Sequence, residues 1–97
     1  MARIPARDAG PAVAARQDFT SSSALTARHE YPSYGRLPDA ERAVLRDVAQ
    51  EHGSQTYVVY SYGTPAAWAA PGGPLYIPDV KYSVTTSKHQ SYIRRAA

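Results

Sequence analysis

The clearest rhythm of apolar and polar positions begins at Leu37. Leu37, Ala40, Val44, Val48 and Ala49 recur at helical spacing with Leu45 at their edge, which predicts an amphipathic helix over 38–52. Pro38 suits its first turn, Asp39 and Glu41 suit the positive end of its dipole, and Gly53 suits a left-handed cap. Glu41, Arg42, Arg46, Asp47 and Gln50 are expected to face away from the core. The rhythm then changes to alternation. Val58, Tyr60 and Tyr62 fall on one side of a strand over 55–62, with Tyr57, Val59 and Ser61 on the other. Gly63-Thr64-Pro65 is expected to break it. Residues 66–69 predict a short second strand in which Trp68 is the only large side chain, and hence a core residue.

Pro71-Gly72-Gly73-Pro74 is a turn, and Leu75-Tyr76-Ile77 resumes as a strand until Pro78-Asp79 interrupts it. Tyr82 and Val84 alternate with Ser83 and Thr85, predicting a last strand over 80–85. That strand runs into a short basic helix whose first turn Thr85, Thr86 and Ser87 can cap. Before Leu37 no such rhythm exists. Ile4, Val13, Phe19 and Leu25 are too scattered to make a helical stripe, and Pro5, Gly10, Pro11, Pro32 and Gly35 punctuate the segment. Residues 1–36 therefore read as a flexible N-terminal tail and linker, since so little apolar surface cannot offset about 1–2 kcal/mol of ordering entropy per residue. The fold class expected is α+β. Residues 37–97 make a small antiparallel meander of three to four strands, flanked by an amphipathic helix and a short C-terminal basic helix. Such a unit lies near the lower limit for a self-sufficient core, which dimerisation would relieve.

Charge sharpens the picture at one end. The 97 residues carry a net charge of +3, yet residues 80–97 hold Lys81, Lys88, Arg94 and Arg95 and no carboxylate, leaving −1 for the rest. The chain has no cysteine, which excludes disulfides and thiolate metal sites. It has no apolar run long enough to span a membrane and no secretory h-region, so a cytoplasmic location in the host cell is expected.

Candidate chemistry gathers in the same C-terminal stretch. His29, His52 and His89 lie in separate segments without metal-ligand spacing, so no metal, cofactor, catalytic residue or small-molecule substrate is expected. His89 is better explained as closing a hydrogen-bond network with a strand hydroxyl at the strand–helix junction. The same residues read as an anion or nucleic-acid contact comprise Thr86, Ser87, Lys88, His89, Gln90, Arg94 and Arg95. Lys88 and His89 in a first helical turn oppose the dipole unless an anion is near. In the tail, Arg3, Arg7, Arg16 and Arg28 can touch phosphate. Tyrosines of the sheet, namely Tyr57, Tyr60, Tyr62 and Tyr82, form the candidate protein interface.

The run Thr56-Tyr57-Val58-Val59-Tyr60-Ser61-Tyr62-Gly63-Thr64-Pro65, then Ala67-Trp68, then Lys81-Tyr82-Ser83-Val84-Thr85-Thr86-Ser87-Lys88-His89-Gln90, resembles a family of small proteins of bacteriophages and related mobile elements. The resemblance covers roughly residues 55–93, with Thr-Thr-Ser-Lys-His-Gln its most specific part. Ala66 stands where a larger aliphatic is usual. The resemblance implies a source and a shared fold but supplies no activity. The expected function is that of a small non-enzymatic accessory protein that binds a protein partner or itself through the tyrosine-bearing sheet. Weak, sequence-tolerant nucleic-acid binding by the basic helix is the alternative.

Overall fold

The computed structural model describes residues 2–5, 8–21, 24–78 and 84–94, with the backbone alone at 2 and 84–87. Five strands form one sheet in sequence order: β1 (Ala2–Ile4), β2 (Phe19–Ser21), β3 (Leu25–His29), β4 (Tyr57–Ser61) and β5 (Thr64–Ala69). β1 and β2 are parallel and are joined through helix α1 (Ala9–Ala14), whereas β2 to β5 are an antiparallel meander. Helices α2 (Asp39–His52) and α3 (Val84–Arg94) complete an α+β fold. No described helix is long and apolar enough to cross a membrane.

The sheet is therefore mixed and five-stranded rather than an antiparallel meander of three to four strands. The correction comes from residues 1–36, expected to be a tail. They supply β1, α1, β2 and β3, and Leu25 to His29 pair with Ser61 to Tyr57 along the whole of β4. Ala9, Val13, Phe19, Leu25 and Ala27 are buried in the main core with Tyr57, Val59, Ala67 and Ile93. Scattered in sequence, these side chains converge in space. Full burial of a side chain the size of Val, Leu or Phe contributes about 1.5–3 kcal/mol, so the segment is ordered by tertiary packing rather than by local rhythm.

β4 runs through the middle of this arrangement, and all five of its residues are buried. Tyr57 and Val59 meet the core that includes α1 and α3, while Val58 and Tyr60 pack with Trp68, Leu37 and Leu45 beneath α2. The expected division of β4 into two faces is present from Tyr57 to Ser61. Tyr62 leaves it: with Gly63 it forms the two-residue turn between Ser61 and Thr64, at φ values of 53° and 79°. Positive φ at both central residues is the requirement of a type I′ hairpin. Thr64-Pro65 thus begins β5 instead of ending β4. The pairs Tyr60–Pro65 and Val59–Ala67 leave Ala66 as an extra residue, and a bulge of this kind tolerates the proline beside it.

α2 matches its predicted bounds to within a residue, but its buried face is rotated. Leu45 and Ala49 are buried, Val48 is half-buried, and Val44 is 39% exposed. Glu41 and Arg42 do not face away. The Tyr76 hydroxyl donates to Glu41 at 2.8 Å, and the Arg42 guanidinium donates to the Leu37 carbonyl at 3.2 Å. The strand expected over Leu75-Tyr76-Ile77 is reduced to one bridge, between Tyr76 and Trp68. The strand expected over 80–85 fails at its end, because Val84 and Thr85 already belong to α3; its other residues lie outside the described ones. Val and Thr favour strands only weakly, and docking of a helix on the sheet overrides that preference.

Candidate functional site

With α3 starting at Val84, Lys88 and His89 are its fifth and sixth residues, so neither opposes the dipole at a first turn. For the same reason Thr85, Thr86 and Ser87 lie inside the helix rather than at its cap. His89 is 1% exposed, and its Nδ1 shares a 2.8 Å hydrogen bond with the Ser61 hydroxyl of β4. A strand hydroxyl is thus its partner, although from within the helix and not at a junction. The Tyr62 ring stacks beside it at 6.0 Å. Burial, and secondarily the charge of Lys88, hold the imidazole below the usual histidine pKa. Gln90 is also buried, its side-chain amide donating to the carbonyls of Pro78 at 3.0 Å and Ala66 at 3.4 Å. Two of the proposed anion contacts are therefore structural ties between α3 and the sheet.

Lys88 and Arg94 remain exposed on α3, with Ser91 between them. The side chains of Thr86 and Ser87, and all of Arg95 and Tyr82, lie outside the described residues. The candidate tyrosine interface is corrected in the same way. Tyr57 and Tyr60 are core residues, because helices cover both faces of β4. The Tyr57 hydroxyl donates to the Gln17 carbonyl and that of Tyr60 to the Glu30 carboxylate, each at 2.8 Å. Burial raises the pKa of both phenols. Tyr62 alone of the described three is open, at 63% exposure.

The structure assembles a different site. A cleft of about 340 Å³ lies beside Tyr57 and is lined by Arg16, Ser54, Gln55, His29 and the turn Ala70-Pro71-Gly72. That volume falls in the lower part of the ~300–1,000 Å³ range of ligand pockets. Arg16 arises from a helix ending. Its N–H donates to the Val13 carbonyl and that of Gln17 to the Ala12 carbonyl, the paired bonds of a Schellman motif closing α1. Arg16 occupies the position that glycine normally takes, at φ 55°. A side chain there costs about 1–2 kcal/mol.

The side chain offsets this by what it touches. Nη1 donates to the Val13 carbonyl at 2.7 Å and Nη2 to the Gly73 carbonyl at 3.2 Å, tying α1 to the 70–73 turn. The guanidinium also lies 6.0 Å from the centre of the Tyr57 ring. His29 approaches that ring at 4.9 Å, and its Nδ1 is 2.6 Å from Asp18 Oδ1. No carboxylate is among the described residues that line the cleft, but the charge of nearby Asp18 acts on the Tyr57 phenol more strongly than that of Arg16. A smaller hollow of about 200 Å³ near Arg28 includes Glu30 and Tyr60, which already satisfy one another.

Sequence reasoning placed Arg16 on a flexible arm and missed His29, Ser54, Gln55 and the 70–72 turn as site residues. The available signal was an arginine, where glycine is usual, at the end of an alanine-rich helix. Of the tail arginines, Arg3 and Arg28 lie on β1 and β3, apart from Arg16, while Arg7 is outside the described residues.

A layered α+β domain with a cleft beside Tyr57 is the class these features define. The chain belongs to a family of unknown function (DUF8033), whose profile matches residues 35–95. The match takes in α2, β4, β5 and α3, and so the part of the cleft built by Ser54, Gln55, Tyr57 and Ala70 to Gly72. Arg16 and His29 precede it. No curated protein and no solved structure matches the chain.

Proposed function

We propose that this chain is a small non-enzymatic binding protein, of the accessory type its resemblance to bacteriophage proteins suggests, and that it takes a segment of a protein partner in the Arg16–Tyr57 cleft. The observation that carries the reading is the composition of that cleft: a guanidinium fixed by two backbone carbonyls, an imidazole and neutral polar groups, with no carboxylate among the described lining residues. Such a lining suits recognition, in which few polar groups orient a ligand against an otherwise apolar wall. Self-association through the tyrosine-bearing sheet loses its support, since Tyr57 and Tyr60 are core residues. Peptide-library selection on the immobilised protein tests the proposal. Sequences enriched on the parent are expected to be lost on Ser54→Trp, which fills the mouth from an exposed position. Equal retention by both proteins would place binding elsewhere.

A second reading has one observation in its favour, the exposure of Lys88 and Arg94 on α3. On it, the protein binds nucleic acid weakly and without sequence preference. With two phosphate contacts, log affinity should fall against log salt with a slope of about −1.4 to −1.8.

A further inference from the structure

We infer that Tyr62 is a stacking platform for an unpaired base, set beside the exposed cations of α3, and that its partner is single-stranded nucleic acid. The inference rests on the second reading above for the phosphate contacts, adds a base contact to them, and is independent of the Arg16–Tyr57 cleft.

Tyr62 and Gly63 are the central residues of the β4–β5 turn, at φ values of 53° and 79°. Asparagine or glycine normally holds the first of these positions, because a bulky side chain is disfavoured at positive φ. The turn alone therefore does not call for tyrosine. The ring lies beside buried His89, with centroids 6.0 Å apart and planes 20° from parallel. That contact occupies one face. The residue is 63% exposed, so the opposite face is open to solvent. A ring backed on one side and bare on the other presents a fixed π-surface on which any base can stack.

Charge selects the partner. Tyrosine also serves protein interfaces, but the surroundings of this ring are basic. Residues 52–97 hold Lys81, Lys88, Arg94 and Arg95 and one carboxylate, Asp79. Strands β2 to β5 and helix α3 contain no Asp or Glu at all. Lys88 directly precedes His89, and its charge acts on the imidazole that Tyr62 overlies. Lys88, Ser91 and Arg94 recur at spacings of three along the exposed side of α3. Neither cationic side chain has a hydrogen bond or ion pair among the described residues. Asp8, at the start of the α1 helix that packs on α3, pairs with neither. Two unpaired cations and a bare aromatic face, with no competing carboxylate on their own elements, suit a strand of phosphates bearing open bases. A duplex keeps its bases stacked on one another and offers the ring none.

Fluorescence anisotropy at low salt tests this with three labelled probes: an oligothymidylate, an abasic strand with the same number of phosphates, and an oligoglutamate peptide. The parent should bind oligothymidylate at least about fivefold more tightly than the abasic strand, as one base stack implies. Tyr62→Asn should bring oligothymidylate down to the level of the abasic strand and leave the abasic strand unchanged. Asn-Gly is the preferred pair for this turn, so the variant keeps the hairpin, and its amide spectrum verifies the fold. Tyr62→Phe should retain the difference, since stacking uses the ring and not the hydroxyl. Lys88→Gln should weaken both strands and flatten the salt slope by about 0.7. Equal binding of the two strands by the parent overturns the platform and leaves the phosphate contacts standing. A difference that survives Tyr62→Asn places the base contact elsewhere and overturns the assignment of Tyr62. Oligoglutamate binding as tightly as oligothymidylate overturns nucleic acid in favour of an acidic protein partner. No binding of either strand overturns both the platform and the second reading.

Discussion

The Ser61 hydroxyl and His89 Nδ1 meet 2.8 Å apart inside the protein, joining the central strand to the last helix. Because His89 is buried, its neutral form belongs to the folded state and its folded pKa lies below the ordinary value. The unfolded chain then binds the proton more readily, so stability is intact above about pH 6.5 and falls as the pH drops through that value. As the pH is lowered below about 6.5, the parent should lose melting temperature more steeply than His89→Gln. Parallel curves for the two proteins would mean that His89 is freely hydrated.

Trp68 is 1% exposed and packs with Leu37, Leu45, Val58 and Tyr60. Trp68→Ala should lower stability by about 3–5 kcal/mol, as loss of a core aromatic does. Urea denaturation measures it, and a loss below about 1 kcal/mol would assign Trp68 to the surface.

Gly35 faces the β4–β5 turn. At φ 55°, a Cβ on it would stand 2.5 Å from Thr64 Oγ1 and 2.8 Å from the Gly63 carbonyl oxygen. The adjoining Arg36 N–H donates to the same Thr64 oxygen at 3.0 Å. Gly63 also has positive φ but open space around it. Gly63→Ala should therefore cost only the conformational penalty, about 1–2 kcal/mol, and Gly35→Ala distinctly more. Equal melting temperatures for the two variants would contradict the docking of this turn.

What the sequence made legible follows from how local each signal is. α2 carried its periodicity, its acidic first turn and Gly53 within one stretch, and β4 alternated between two faces. Trp68 stood out as the only large side chain of its strand. β1, β2 and β3 are too short for alternation to register, and their apolar residues become a core only when set against Tyr57 and Val59. Thr85 read as strand because its preference is local while its helix is fixed by His89, Gln90 and Ile93 docking on the sheet. The cleft was hidden for the same reason, since Arg16, His29, Ser54 and Gly72 come from four separate segments.

The ordered N-terminal segment leads to a further expectation. A chain lacking residues 1–34 would strip Phe19, Leu25 and Ala27 from the face of β4 that bears Tyr57 and Val59. It should show no cooperative thermal transition by circular dichroism, since the remaining unit falls near the size where one core is insufficient. A sharp transition near that of the full chain would show the segment to be dispensable.

Where a bound peptide lies is the most direct measure of the account. Amide shifts of the full chain should be mapped with a peptide enriched by library selection. The prediction is perturbation confined to the neighbourhood of Arg16, His29, Ser54, Tyr57 and Gly72, absent from Arg16→Gly. Shifts centred on Tyr62, Lys88 and Arg94, with the cleft silent, would contradict it.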